Sequence, residues 1–131
     1  MSNGGFKSLL VWQKAQTLAV DIYQLSKSAD FSREFALADQ MRRAAISIPS
    51  NIAEGDERDT DKDAVRFLYI AKGSVAELRT QLDLANKVSL LSNTLFTIFD
   101  QQAEEIARML RGLIKCPFPP CLTLKPLALS L

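Results

Sequence analysis

Between residues 41 and 55 the chain reads MRRAAISIPSNIAEG, and polar side chains recur there where a helix should be burying itself. Arg43, Ser47 and Asn51 step by four and Glu54 follows three later, so on a helix they share one face, with Gln40, Arg42 and Ser50 on its flanks. Three chemistries suit this set. Arg42 and Arg43, facing solvent or a shared channel, would hold phosphates through charge-assisted hydrogen bonds. Turned inward, the same stripe would be a polar network that pins one helix to the next, because an orphaned buried charge is costly and therefore fixes register. Catalysis is the third, and its requirements go largely unmet. Ser47 and Ser50 have no visible base beside them, and there is no glycine-rich phosphate loop. The sequence holds no histidine, which removes the commonest general base and the commonest metal ligand together. The expectation is a protein without enzymatic activity, cofactor, metal or small-molecule substrate.

The elements that must position the stripe follow from hydrophobic spacing. From Leu9 to Lys27, Val11, Ala15, Leu18, Ile22 and Leu25 step by four and three, which predicts a first helix. Trp12, Ala19 and Tyr23 add a second apolar strip, wide enough for contact with another subunit or for burial on two sides of one bundle. Ser28 to Ser32 breaks the pattern, and Ser32 is placed to cap a second helix from near Arg33, with Glu34 in its first turn. The core face of that helix is Leu37, Met41, Ala44, Ala45, Ile48 and Ile52. Pro49 should kink or loosen it over residues 45–50, and Gly55 should end it as a C-terminal cap.

Residues 54–63 hold six acids and two bases, a solvated turn that lacks the glycine and closing glutamate of a calcium loop. Thr60 and Asp63 form a capping-box-like start to a third helix over about 61–87. Its core positions are Ala64, Leu68, Ala71, Val75, Leu78, Leu82 and Ala85, and Gly73-Ser74 at its middle suggests close approach of a neighbour. After a turn at 89–93, Leu95, Phe99, Gln102, Ile106, Met109 and Leu113 continue the repeat in a fourth helix to about Lys115, with Glu104 and Arg108 spaced as an outward ion pair. A short turn makes helices two and three antiparallel, which brings Ser74 and Glu77 within reach of Arg43.

These assignments divide the chain into residues 1–7 as a flexible start, 8–115 as an all-α, up-down-up-down four-helix bundle, and 116–131 as an extended Pro/Leu-rich tail. The tail, CPFPPCLTLKPLALSL, is too rich in proline for a helix and too apolar for a solvated linker. It should lie across an apolar surface, either the domain's own flank or a neighbouring copy. Cys116 and Cys121 are placed to close a small loop, but the expected state for two cysteines in a cytosolic chain is free thiols. Sixteen Lys+Arg balance fifteen Asp+Glu, so net charge announces neither nucleic acid nor a membrane. Without a secretory leader pattern or an apolar run of membrane-spanning length, the expected location is the cytoplasm.

Longer patterns add to this. Leu10-Val11-Trp12-x-x-Ala15 with Ile22-Tyr23, then Gln40-x-x-Arg43-Ala44-Ala45-x-Ser47-Ile48-x-Ser50-Asn51-Ile52-Ala53-Glu54-Gly55, then Phe67-Leu68-x-Ile70-Ala71-x-Gly73-Ser74-x-x-Glu77-Leu78, resemble the 23S rRNA-intervening sequence proteins over about 6–114. The resemblance implies a four-helix bundle, assembly into a ring of five, and no established enzymatic activity. Some relatives are encoded within ribosomal RNA genes, and a related group are basic accessory proteins of reverse transcriptases. This chain departs from that group in its near-neutral charge, and its tail lies outside the family pattern. Two functions stay open: a self-assembling structural protein with itself as partner, or an RNA- or DNA-binding accessory protein. In the second, Arg42, Arg66, Arg79, Arg108 and Arg111 would form the basic surface of an oligomer, beside a polar set of Arg43, Ser47, Asn51, Glu54, Ser74 and Glu77.

Overall fold

The computed structural model describes residues 4–117 of the 131. Within them lie four α-helices, α1 (Leu10–Ser26), α2 (Phe35–Asp56), α3 (Asp61–Lys87) and α4 (Asn93–Lys115), and no strand. Short 3-10 turns at Phe6–Ser8 and Ala29–Phe31 precede α1 and α2. Each helix packs on its sequence neighbour and α4 closes back on α1, giving a four-cornered bundle. Gly55 lies against Ala64 and Ser47 against Ser74, so residue numbers fall along α2 as they rise along α3. That antiparallel pairing is what a connection of four residues, 57–60, allows.

The core follows the three-four spacing. Leu18 and Ile22 of α1, Met41, Ile48 and Ile52 of α2, Leu68, Leu78 and Leu82 of α3, and Ile106 and Leu110 of α4 are all at most 1% exposed. Alanines fill the closest approaches: Ala15, Ala45, Ala71, Ala85 and Ala103 are also sealed, and small residues at contacts let helix axes approach. No helix among the described residues is long and apolar enough to cross a membrane.

Several local expectations are corrected by packing. Ser32 does not cap α2. Phe31 is buried at 1% exposure, which winds residues 29–31 into the 3-10 turn, and the Ser32 hydroxyl donates to the Ala29 carbonyl at 2.7 Å. Helix α2 therefore starts at Phe35, with Glu34 at its cap making no side-chain bond. At the other end of the helix, Gly55 is not a C-terminal cap. The helix continues to Asp56 with Glu57 in right-handed geometry beyond it. Gly55 is small because a Cβ there would sit 3.0 Å from the Ala64 carbonyl oxygen and 3.3 Å from the Phe67 Cβ.

Helix α2 is also unbroken across Pro49, which is buried. Around the missing N–H, the Ser50 hydroxyl donates to the Ile46 carbonyl at 2.8 Å and the Asn51 amide to the Ser47 carbonyl at 2.8 Å. Side chains thus add bonds to the ladder where the proline removes one. Gly73 is exposed, and a Cβ built there meets nothing within 4 Å among the described residues, so they do not make the close approach expected at this glycine.

Thr60 accepts from the Asp63 backbone N–H at 3.2 Å to start α3, and Ser92 accepts from the Leu95 N–H at 3.2 Å to start α4. Between them the chain reverses through Ser89, at φ 66° in the left-handed region. The Leu90 N–H returns to the Ala85 carbonyl at 2.9 Å, a helix-terminating arrangement of the left-handed type. Free thiols were expected at Cys116 and Cys121, yet Cys116 is disulfide-bonded. Cys121 and the remainder of the tail, on which the expected apolar docking rests, lie outside the described residues, as do residues 1–3.

Candidate functional site

The polar stripe divides into an inner cluster and an outer row. The hydroxyls of Ser47 on α2 and Ser74 on α3 meet at 2.8 Å, and the Asn51 amide donates to the Ser47 hydroxyl at 3.0 Å and to its carbonyl. Ser74 is 9% exposed. These three small groups satisfy one another at the mid-level contact between α2 and α3, so they fix the register of one helix on the other without a buried charge.

Arg43 and Glu77 stand outside this cluster. The Arg43 guanidinium is 78% exposed and donates to Asp39 one turn back at 2.9 Å. Glu77 is exposed and makes no hydrogen bond or ion pair among the described residues. The expected Arg43–Glu77 proximity yields no pair because Asp39, on Arg43's own helix, offers a solvated partner without desolvation. That pairing with Arg43 holds the Asp39 carboxyl below the usual range. Glu54 pairs with Arg58 in the same within-helix manner.

Within one chain the arginines put forward for nucleic acid fall in separate places, except that Arg79 and Arg111 share Glu104. Arg42 reaches back to α1 and donates to the Ser26 hydroxyl at 3.0 Å. Arg66 and Arg58 lie over the ring of Phe67, at 4.7 and 4.5 Å from its centre, beside the acidic α2–α3 turn. Arg79 is the clamp between α3 and α4: its guanidinium forks onto both Asp100 oxygens at 2.8 and 3.1 Å and also binds Glu104. Arg111 closes the network on Glu104 at 3.0 Å.

Glu104 therefore serves Arg79 and Arg111 and not Arg108, the partner expected one turn on. Two guanidiniums, one from another helix, outcompete one exposed within-helix pairing. The sequence signal for this clamp was the acidic pair Asp100 and Glu104 at four-residue spacing on α4; what it lacked was the facing residue on α3.

The Arg111 guanidinium first, then the charge of Arg79, holds the Glu104 carboxyl below the ordinary carboxylate range, against a desolvation that pushes it up. Hydrogen bonding to Asp100 raises Arg79. A depressed folded-state pKa contributes stability that is present above the unfolded value, about 4.3 for Glu, and is lost as pH falls through the lower folded value. Thermal melts from pH 7 to pH 3 should show stability dropping on the acid side. The drop should be shallower in Glu104→Gln, whose side chain does not titrate.

Three apolar surfaces complete the inventory. Between α1 and α2 runs a groove of about 520 Å³ lined by Phe6, Trp12, Val20, Tyr23, Ile46 and Pro49, among others, with no charged residue. The second strip of α1, Trp12, Ala19 and Tyr23, forms its wall. On the outer side of α3, Tyr69, Ile70 and Leu84 are 57%, 43% and 50% exposed, with Gly73, Ala76 and Thr80 between them, also exposed. Near the α3–α4 turn Val88, Leu95 and Ile98 are 54%, 40% and 45% exposed.

The sequence pattern of the 23S rRNA-intervening sequence proteins matches residues 7–112, all four helices but the last turn of α4. The chain belongs to that family. A solved structure agrees: the chain is similar to a protein with unknown function from the S23 ribosomal protein family of Bacteroides thetaiotaomicron VPI-5482. Identity is 25% and the TM-score 0.75, over 80% of this chain and 98% of that one. No curated protein matches. The match to the 23S rRNA-intervening sequence pattern ends before the Cys-Pro-rich tail.

Proposed function

We propose that this 23S rRNA-intervening sequence family member is a non-enzymatic, self-assembling bundle whose partner is further copies of itself, with a ring of five as the arrangement the family resemblance implies. The observation that carries the reading is the outer face of α3. Tyr69, Ile70 and Leu84 expose large apolar side chains along a helix whose opposite face is already sealed in the core. Large apolar side chains left exposed along one helix face mark contact surfaces. Gly73 lies among them with open space above its Cα, where a neighbour's backbone would fit. A ring needs two different patches per subunit, since one self-complementary patch closes as a dimer. The apolar end formed by Val88, Leu95 and Ile98 supplies the second.

Light scattering tests this directly. The full chain at micromolar concentration should give a multiple of 14.6 kDa, and Ile70→Glu with Leu84→Glu should reduce it to the single-chain mass with helicity retained. A native chain of 14.6 kDa would refute the proposal.

The nucleic-acid reading has less support, because Arg79 and Arg111 are neutralised by Asp100 and Glu104. Binding to structured RNA should show no steep log–log salt dependence; a steep slope would favour the accessory-protein reading instead.

A further inference from the structure

Charge left unpaired within one chain marks what the outer face of α3 meets on a neighbour. Residues 54–63 hold six acids against two bases. The side chains of Glu57, Asp59, Asp61 and Asp63 are exposed and make no hydrogen bond or ion pair among the described residues. Glu77, farther along α3, is in the same state. From Ile106 to Lys115, by contrast, α4 carries three bases and no acid. Arg111 is taken by Glu104, while Arg108 and Lys115 are exposed and make no hydrogen bond or ion pair among the described residues.

The two sets lie at one end of the bundle yet do not meet within the chain. Asn86 binds Asn93 and Arg79 binds Asp100, so numbers fall along α4 as they rise along α3. Asp63 therefore comes level with Lys115, and Leu84 with Leu95. On α3, Asp63, Ile70, Glu77 and Leu84 recur every seven residues, a stripe about 32 Å long. Bases near the stripe do not cancel it: Arg66 lies over the Phe67 ring, and Lys62 is about 100° round the helix from Asp63. On the outer face of α4, Leu95 and Ile98 form an apolar end, and Arg108 and Lys115 a basic one.

We infer that the α3 stripe of one copy packs on the outer face of α4 of the next, with Asp63 and Glu77 answering Lys115 and Arg108. Ile70 and Leu84 then cover Ile98, Leu95 and the aliphatic stems of the two bases, whose heads reach past them to the acids. This rests on the self-assembly proposed above and supplies its chemistry. Both contacts form at once, acid against base where α3 starts and apolar against apolar where it ends. An α3-to-α3 contact would bring together only the acids of the stripe, and an α4-to-α4 contact only bases, leaving charge uncompensated. Charge thus selects the heterologous, head-to-tail contact from which rings are built.

Light scattering over a dilution series of full-length variants tests the contact. Arg108→Glu with Lys115→Glu should raise the concentration of half-assembly about tenfold or more, and Asp63→Lys with Glu77→Lys should do the same. All four substitutions in one chain should bring it back to within about threefold of the parent, because opposite charges face each other again. Far-UV circular dichroism should stay helical throughout.

A fourfold variant that assembles no better than either pair would overturn the assignment. So would an α4 pair of unchanged mass beside an α3 pair of lowered mass, which would mean that copies meet α3 to α3. An α4 pair that keeps its mass but loses binding to a structured RNA would give the bases to phosphate and sink the contact. If Ile70→Glu with Leu84→Glu dissociates the parent and the charge pairs do nothing, self-assembly stands and this contact falls alone. A parent that is a single chain would remove both.

Discussion

Truncating Leu78 to alanine is expected to destabilise the bundle by about 3 kcal/mol, within the range of 2 to 5 for fully buried leucines. Leu78 is 0% exposed and lies near the middle of α3, the helix that packs against both α2 and α4. Interiors packed to crystal density do not collapse around a lost isobutyl group, so a cavity penalty adds to the lost transfer energy. Against a typical total of about 5 to 15 kcal/mol, this single change removes a large share. Urea unfolding should show a lower midpoint at unchanged slope, measured at one fixed protein concentration because assembly raises apparent stability by mass action. A loss below about 1 kcal/mol would mean that the mid-bundle core is looser than the sealed side chains imply.

The second large effect concerns glycines with opposite roles. Gly55→Val should cost about 3 kcal/mol, at the upper end for overpacking. Its Cβ would arrive 3.0 Å from a backbone oxygen at Ala64 and 3.3 Å from Phe67, and the four-residue α2–α3 connection leaves the helices little room to part. Alanine there should lose less, since its better helix propensity returns about 1 kcal/mol. Gly73→Ala meets nothing within 4 Å and should raise the stability of the single chain by about 1 kcal/mol. Thermal melts of the three variants decide it. If Gly55→Val melts with the parent, the close approach of α2 to α3 is not a constraint on the fold.

Hydrophobic spacing made the four helices legible before any coordinates, because a buried helical face must repeat every three to four residues whatever it packs against. Leu18, Ile48, Leu78 and Ile106 were readable as core on that ground. The Ser47, Asn51 and Ser74 cluster was legible in part, since spacing puts Ser47 and Asn51 on one face and a short turn opposes α3 to it. The orientation of Arg43 stayed open because periodicity names a face and cannot say whether a long side chain at its edge turns inward or out to Asp39. The Arg79 clamp was missed for a related reason: its partners, Asp100 and Glu104, are more than twenty positions away, and only the rotation of α4 against α3 brings them to it.

By itself, then, the order of apolar and polar residues determined the number of helices, their approximate ends, their sealed faces and the family they belong to. Tertiary structure decided what depends on distances of a few tenths of an ångström between helices: that Gly55 is small for a carbonyl and not for a turn, that Ser32 serves Phe31's turn, and that Glu104 answers to α3. Periodicity is a property of one helix, while register and close approach belong to pairs of helices and are settled only when their side chains compete for the same space.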